Sequence, residues 1–171
     1  MAGESLQERI AALEERVSRL ESGQGKAPRD DVFWALDGLR QRLGGAGQVL
    51  FTGALDLPTG EHYEWQQGAV ADALLDADWA EGAAAYAALG HPVRLTLLRA
   101  VLRGTRSAAA LQEAAELHTT GQLYHHLKQL TATGWLQAEG RGYYQVPAGK
   151  VVPLLVLLSA VVSTANRTTG D

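Results

Sequence analysis

Cysteine is absent from the 171-residue sequence, which excludes disulfides, thiolate metal sites and cysteine nucleophiles together and agrees with a reducing compartment. Long apolar runs are scarce as well. The most hydrophobic one, VVPLLVLLSAVV from Val151 to Val162, falls short of the roughly 20 residues that span a bilayer. No basic, then apolar, then small-residue leader opens the chain, so a cytoplasmic protein without a membrane partner is expected. Signatures of catalysis are missing in the same way: there is no G-x-S-x-G elbow, no H-E-x-x-H pair and no carboxylate pair beside the histidines. The cluster Gly44-Gly45-Ala46-Gly47 lacks the Lys-Ser/Thr that completes a phosphate-binding loop and reads as a turn. Neither an enzyme nor a cofactor is expected.

Charge is present but unevenly placed. The formal net charge is −4, yet residues 1–89 hold 7 Lys/Arg against 15 Asp/Glu, whereas residues 90–150 hold 7 against 3. The middle of the chain therefore carries a local positive field, which a polyanion-binding module requires.

Near the start, Leu6, Ile10, Leu13, Val17 and Leu20 recur at spacings of 4, 3, 4 and 3. That is a heptad seam with β-branched residues at a and leucine at d, the combination that favours a parallel two-stranded coil. Arg9 and Arg16 fall at g, and Glu14 and Glu21 at e, in register for pairs across such a coil. A coiled-coil helix over 1–22 is expected, then a linker over 23–29. The segment 30–78 reads as an extension holding a helix and a hairpin. Asp30 or Asp31 caps the helix, with Phe33, Leu36, Leu39 or Arg40, and Leu43 on its buried face. In the hairpin, Gln48–Leu57 pairs with Glu61–Gly68 about Pro58-Thr59-Gly60. His62, Tyr63, Glu64 and Trp65 are candidates to line a site for an unidentified effector, although strand aromatics commonly pack a core.

Helical patterning resumes at Val70, breaks near Asp78 and stops at Gly90. HPVRLTLLRAVLRG then restarts it with Pro92 in the first turn and Gly104 at the end, and Val93, Leu97, Leu98, Val101 and Leu102 form its apolar stripe. SAAALQEAAELHTTGQLYHHLKQLTATGWL is two helices about a tight turn. Ser107 caps the first, whose Leu111, Ala114 or Ala115, and Leu117 face inward. Thr119 or Thr120 caps the second, in which Leu123, Leu127 and Leu130 define the buried side.

Opposite those leucines lie Gly121, Gln122, His125, Lys128, Gln129 and Ala132, and no acidic residue occurs between Thr119 and Gln137. Gln and Thr read base edges, Lys meets phosphate and His does either, whereas an ordinary solvated helix face carries Glu–Lys pairs. His125 and His126 point about 100° apart on a helix and do not chelate one ion in the i, i+4 manner, so no metal site is expected from them. His126 belongs at the edge of the core. GWLQAEGRGYYQVP follows as a small hairpin with Arg141 between two glycines at its tip. Helix, turn, helix and a hairpin with a cationic tip is the layout of a winged helix.

ALGHPVRLTLLRAVL, TTGQLYHHLKQLTATGWL and GRGYYQV together resemble the ArsR-type winged helix-turn-helix transcription regulators over about residues 79–165. The fold class expected is mainly α with small β-hairpins: a winged helix-turn-helix domain over 79–150 behind a coiled-coil helix and an α/β-hairpin extension, with a dimerisation helix over 151–165. By that resemblance Thr120, Gly121, Gln122, Tyr124 and His125 fall where the family contacts bases or backbone, and Arg141 falls at the wing tip. Thr119 and Gln129 join them on the same helix, and Lys128 and Arg106 are expected phosphate contacts. The apolar helix from Val151 is similar to the family's terminal dimerisation helix. Its Leu154, Leu155, Leu158 and Val162 would join Leu6, Ile10, Leu13, Val17 and Leu20 in a homodimer, the terminal helix being too apolar all round for an exposed monomer.

Two departures stand out. The cysteine-containing metal motif is missing and the terminal helix has no His, Asp or Glu for a zinc site, while the residues before 79 have no counterpart in short family members. The expected function is a sequence-specific double-stranded DNA-binding transcription regulator, acting as a homodimer on a two-fold-symmetric operator and not as a metal sensor. The alternative is a winged-helix module for protein contact.

Overall fold

The computed structural model of the chain describes residues 9, 10, 13–15, 17, 18, 34–42 and 47–162. Two compact units divide the chain, residues 1–43 and 44–171. In the first, the described residues between 9 and 18 are helical, and the seam side chains Ile10, Leu13 and Val17 are 47%, 57% and 49% exposed. Leu6, Leu20, Arg16 and Glu21 lie outside the described residues, as do the linker 23–29, the caps Asp30 and Asp31, and Phe33 and Leu43. Helix α1 (Trp34–Arg42) forms where helical periodicity predicts one, but none of its residues is buried and Leu36 is exposed. Of its expected inward face, Leu36 is exposed and Leu39 is half-buried.

The second unit opens with a hairpin of β1 (Gln48–Asp56) and β2 (His62–Val70), paired antiparallel from Gln48 opposite Val70 to Asp56 opposite His62. The second strand runs two residues past the expected end. Val, Leu, Phe and Thr favour the pleated surface, and the period of two puts half-buried Phe51, Leu55 and Tyr63 on one face and exposed Thr52, Ala54, His62 and Glu64 on the other. The turn is closed by Leu57 N–H to Glu61 O and Gly60 N–H to Leu57 O, both at 2.9 Å.

Helix α2 (Ala71–Asp76) follows, then a 3₁₀ turn (Trp79–Gly82) and α3 (Ala83–Leu89). The break falls at Asp78, whose carboxylate accepts from Ala80 N–H at 2.9 Å. Helix α4 (Pro92–Leu102) starts with proline where a missing N–H costs nothing, and His91 Nδ1 caps it by accepting from Val93 N–H at 3.2 Å. Arg94 reaches back to the carbonyls of Ala88 and Ala87 at 2.5 and 2.7 Å, among the last acceptors of α3. One side chain thus fixes the corner between two helices. Helices α5 (Ala108–Ala114) and α6 (Thr120–Ala132), strands β3 (Gln137–Ala138) and β4 (Tyr144–Gln145), and helix α7 (Ala148–Val161) complete the unit. The described chain is mostly helical with two small antiparallel hairpins, and none of its helices is long and apolar enough to cross a membrane.

One continuous core joins Leu97, Leu98 and Val101 of α4 to Leu111 of α5, the three leucines of α6, Trp135, Leu136 and Val146 around the small hairpin, and Val151 and Leu154 of α7. Trp135 satisfies its indole N–H on Ala85 O at 3.0 Å, linking α3 to the end of α6.

Helix α7 departs from expectation in two ways. It starts at Ala148, so Pro153 lies in its interior and not in its first turn; the helix forgoes one i→i−4 bond there. Part of its apolar circumference is also covered by its own chain. Val151, Val152 and Leu154 are buried, Leu154 completely, and Leu155 and Leu158 are half-buried against the core. Leu154, expected at a subunit interface, is a core residue, because the β1–β2 hairpin packs across one side of α7 and α4 closes another.

Contact with the hairpin demands a small residue. A Cβ added at Gly53 would stand 2.7 Å from Val152 Cγ1, closer than carbon atoms approach, and valine is stiff at χ1. Gly53→Ala is expected to destabilise the protein by about 1–3 kcal/mol in urea unfolding, and the Val152→Ala background is expected to absorb most of that loss. Equal losses in both backgrounds would show that the two positions do not share this space.

Candidate nucleic-acid interface

Helix α6 begins at a cap visible in sequence: Thr119 Oγ1 accepts from Gln122 N–H at 3.2 Å. The preceding turn is tight. Glu116 takes a left-handed conformation (φ 52°), Gln112 Nε2 donates to Leu117 O at 3.1 Å, and Leu117 N–H donates to Gln112 O at 3.0 Å. Ser107 caps α5 through Ala110 N–H at 3.3 Å, and on that helix Ala115 rather than Ala114 turns inward beside fully buried Leu111.

Leu123, Leu127 and Leu130 are buried, which fixes the rotation of α6 about its axis. Thr120, Gly121, Gln122, Tyr124, His125, Lys128 and Gln129 are all exposed, Tyr124 at 52%. Seven of the ten residues expected to contact DNA are therefore solvent-exposed on α6, with Thr119 as its cap. An added Cβ at Gly121 would meet only Thr119 Oγ1, at 4.0 Å, so the backbone there is open to close approach.

Arg141 sits at the tip of the β3–β4 hairpin between Gly140 and Gly142, both at positive φ, where a Cβ would strain the turn. The hairpin is braced from behind by the α4–α5 connection. Tyr144 N–H donates to Arg106 O at 2.9 Å, Ala108 N–H to Gly142 O at 2.7 Å, and Ser107 bridges Tyr143. Tyr143 is 53% exposed beside Arg141; the sequence marked it only as a strand residue.

Arg106 is placed differently from the other cations. Its guanidinium is hydrogen-bonded to Glu61 at the β1–β2 turn and lies 3.9 Å from Glu139. Glu61 also accepts from Thr59, and these hydrogen bonds with Thr59 and Arg106 hold its carboxyl below the usual carboxylate range. Arg106 thus spends its charge inside the chain, tying one hairpin to the other, because its partner Glu61 is brought in from 45 residues away.

On the inner flank of α6, His126 packs against His91 with ring centroids 4.7 Å apart and planes tilted by 47°, and His125 meets it edge-on at 5.5 Å. His126 Nδ1 is buried without a hydrogen-bond partner among the described residues. No group of three or more potential metal ligands occurs among the described residues. On the β1–β2 hairpin, Tyr63 packs against the core, and Trp65 lies where a Cβ on Gly149 of α7 would be 3.4 Å from its ring. His62 is held by Asp56 at 2.7 Å and Glu64 at 3.4 Å, which raise its pKa. Of these four, Glu64 and Trp65 line a hollow of about 380 Å³ on the hairpin, and His62 and Tyr63 are not among its lining residues.

The His126 environment has a pH consequence. Burial first, then the neighbouring His91, His125 and Arg94, push its pKa down, so the folded chain takes up a proton there less readily than the unfolded chain. Unfolding releases an imidazole that binds a proton below about pH 6.5. The unfolded state then carries more protons, and stability falls as pH drops through that range. Urea midpoints measured between about pH 7.5 and about pH 5.5 are expected to fall less steeply for His126→Gln than for the parent chain. Parallel pH curves would remove His126 as a cause.

Residues 82–156, from the 3₁₀ turn through most of α7, match the family model of a domain of unknown function, DUF7347, and leave the β1–β2 hairpin outside the match. Comparison with curated proteins and with solved structures gives no match for the chain.

Proposed function

We propose that the protein is a sequence-specific double-stranded DNA-binding transcription regulator of the winged helix-turn-helix type, similar to the ArsR regulators, and that it acts as a homodimer. The observation that carries this reading is the outward face of α6. It presents Gln122, Tyr124, His125, Lys128 and Gln129, exposed together and free of carboxylates, on a helix whose rotation is fixed by three buried leucines. A helix of that kind enters a major groove and reads base edges through Gln122 and His125, while Lys128 and the wing-tip Arg141 meet phosphate. Arg106 braces the wing from behind, which sets its height relative to α6.

The dimer would use the exposed seam of Ile10, Leu13 and Val17 and the free end of α7, where Val161 is 80% exposed. Two recognition helices about 34 Å apart then address a two-fold-symmetric operator one turn at a time. A second reading is favoured by one feature: Leu74, Trp79 and Tyr86 form an exposed apolar surface on α2, the 3₁₀ turn and α3, suited to protein contact. In that reading the winged helix is a docking module.

Selection from random-sequence duplexes separates the two. An enriched palindrome is expected, lost on Gln122→Ala. Lys128→Gln and Arg141→Gln are each expected to lower the slope of log affinity against log salt by about one unit and to weaken all sequences alike. No enrichment and no salt-dependent binding would sink the DNA reading in favour of a protein partner.

A further inference from the structure

Between the β1–β2 turn, α4 and α7 lies a cavity of about 540 Å³, within the range of small-molecule sites. Leu95, Leu102, Leu155 and Leu158 line it, and Leu57 and Pro58 of the hairpin turn close one end. Two cations, Arg99 and Arg103, also line it, and both are exposed at its mouth. They stand one turn apart on α4, and no carboxylate lines the cavity.

The other cations of this basic segment that point inward have partners within the chain. Arg94 holds the carbonyls of Ala87 and Ala88, Arg106 holds Glu61, and Lys150 lies 5.4 Å above the Trp135 ring. Neither Arg99 nor Arg103 has an ion-pair partner among the described residues. A position near the helix C-terminus favours a cation through the dipole, but it does not explain why two of them border an apolar trough that lacks any acid.

From this arrangement we infer that the cavity is a binding site for a small amphipathic organic anion, a medium-chain carboxylate. The hydrocarbon tail lies among the leucines, where each buried methylene contributes, and the carboxylate meets the two guanidiniums, whose planar donor forks match it. A second copy of the chain is a poorer occupant. An apolar face laid over the trough would desolvate both guanidiniums with no carboxylate to receive them. The site does not depend on the DNA-binding reading, and it lies away from the β2 residues on which an effector site is expected from sequence.

The test is calorimetric titration of the full-length protein with octanoate and with octanol, which share a tail but differ in charge, with sedimentation run in parallel. One octanoate per chain is expected, with octanol weaker by about tenfold, the contribution of two exposed ion pairs. Arg99→Gln/Arg103→Gln is expected to abolish that preference while leaving octanol binding unchanged. Leu158→Trp, at a half-buried position, is expected to fill the trough and block both ligands without changing the oligomeric state.

Equal affinity for the two ligands, or no binding of octanoate, overturns the proposal. Dissociation of an oligomer by Leu158→Trp without ligand binding assigns the trough to a subunit interface instead. Capture of the protein by anionic vesicles without octanoate binding assigns the arginines to a membrane surface. Because no DNA enters these measurements, a negative result leaves the DNA-binding proposal standing, and the converse holds.

Discussion

Covering α7 is the constraint from which the arrangement of the second unit follows. Its fourteen residues include leucine and valine on every side, so no single flat surface can shelter it, and an uncovered face would remain as exposed apolar area. The chain answers with two different elements. Leucines and valines of the DUF7347-matching segment receive Val151 and Leu154, and the β1–β2 hairpin lies across Val152. The second contact is possible only because glycine at position 53 lets the strand backbone approach. The hairpin is therefore part of the fold of this unit and not an ornament in front of it, even though it lies outside the family match.

Once α7 and α4 are in place, the outer surface is set by a short series of local devices. Leu123, Leu127 and Leu130 settle which way α6 faces, Thr119 settles where it starts, and the left-handed Glu116 with the Gln112 side chain settles the turn before it. The β3–β4 hairpin is positioned from behind, by backbone pairing with residues 106–108 and by the Arg106–Glu61 pair. That ion pair is partly exposed, so its worth in stability is small. Its effect is geometric: it fixes how one hairpin stands relative to the other.

Helix starts were legible in the sequence wherever a cap residue precedes a periodic run, as at Asp78, Ser107 and Thr119, because the capping bond is local and needs no tertiary partner. The outward face of α6 was legible for the same reason, since three leucines at helical spacing dictate what lies opposite. The strand bounds of the first hairpin emerged within two residues. What stayed hidden depends on distant partners. An apolar circumference says that α7 must be covered but not by what, so Leu154 reads as an interface residue until the hairpin is seen on the other side. Arg106 reads as a free cation because Glu61 is remote in sequence. Arg99 and Arg103 carry no signal in the sequence, since only the fold brings Leu155, Leu158 and the β1–β2 turn to the same cavity. The N-terminal seam is legible as a heptad, but Leu6 and Leu20 lie outside the described residues, and the rest of it is an exposed apolar strip.

Four tryptophans occupy two classes of environment. Trp34 and Trp79 are more than half exposed and Trp65 is 37% exposed, whereas Trp135 is 5% exposed, with its indole N–H on Ala85 O and the Lys150 ammonium above its ring. A polar quencher in solution therefore reaches three of the indoles and leaves one. The residual emission belongs to a ring wedged where α3, the end of α6 and the start of α7 converge. The protein carries its own optical gauge of whether those three helices are closed, readable without a label.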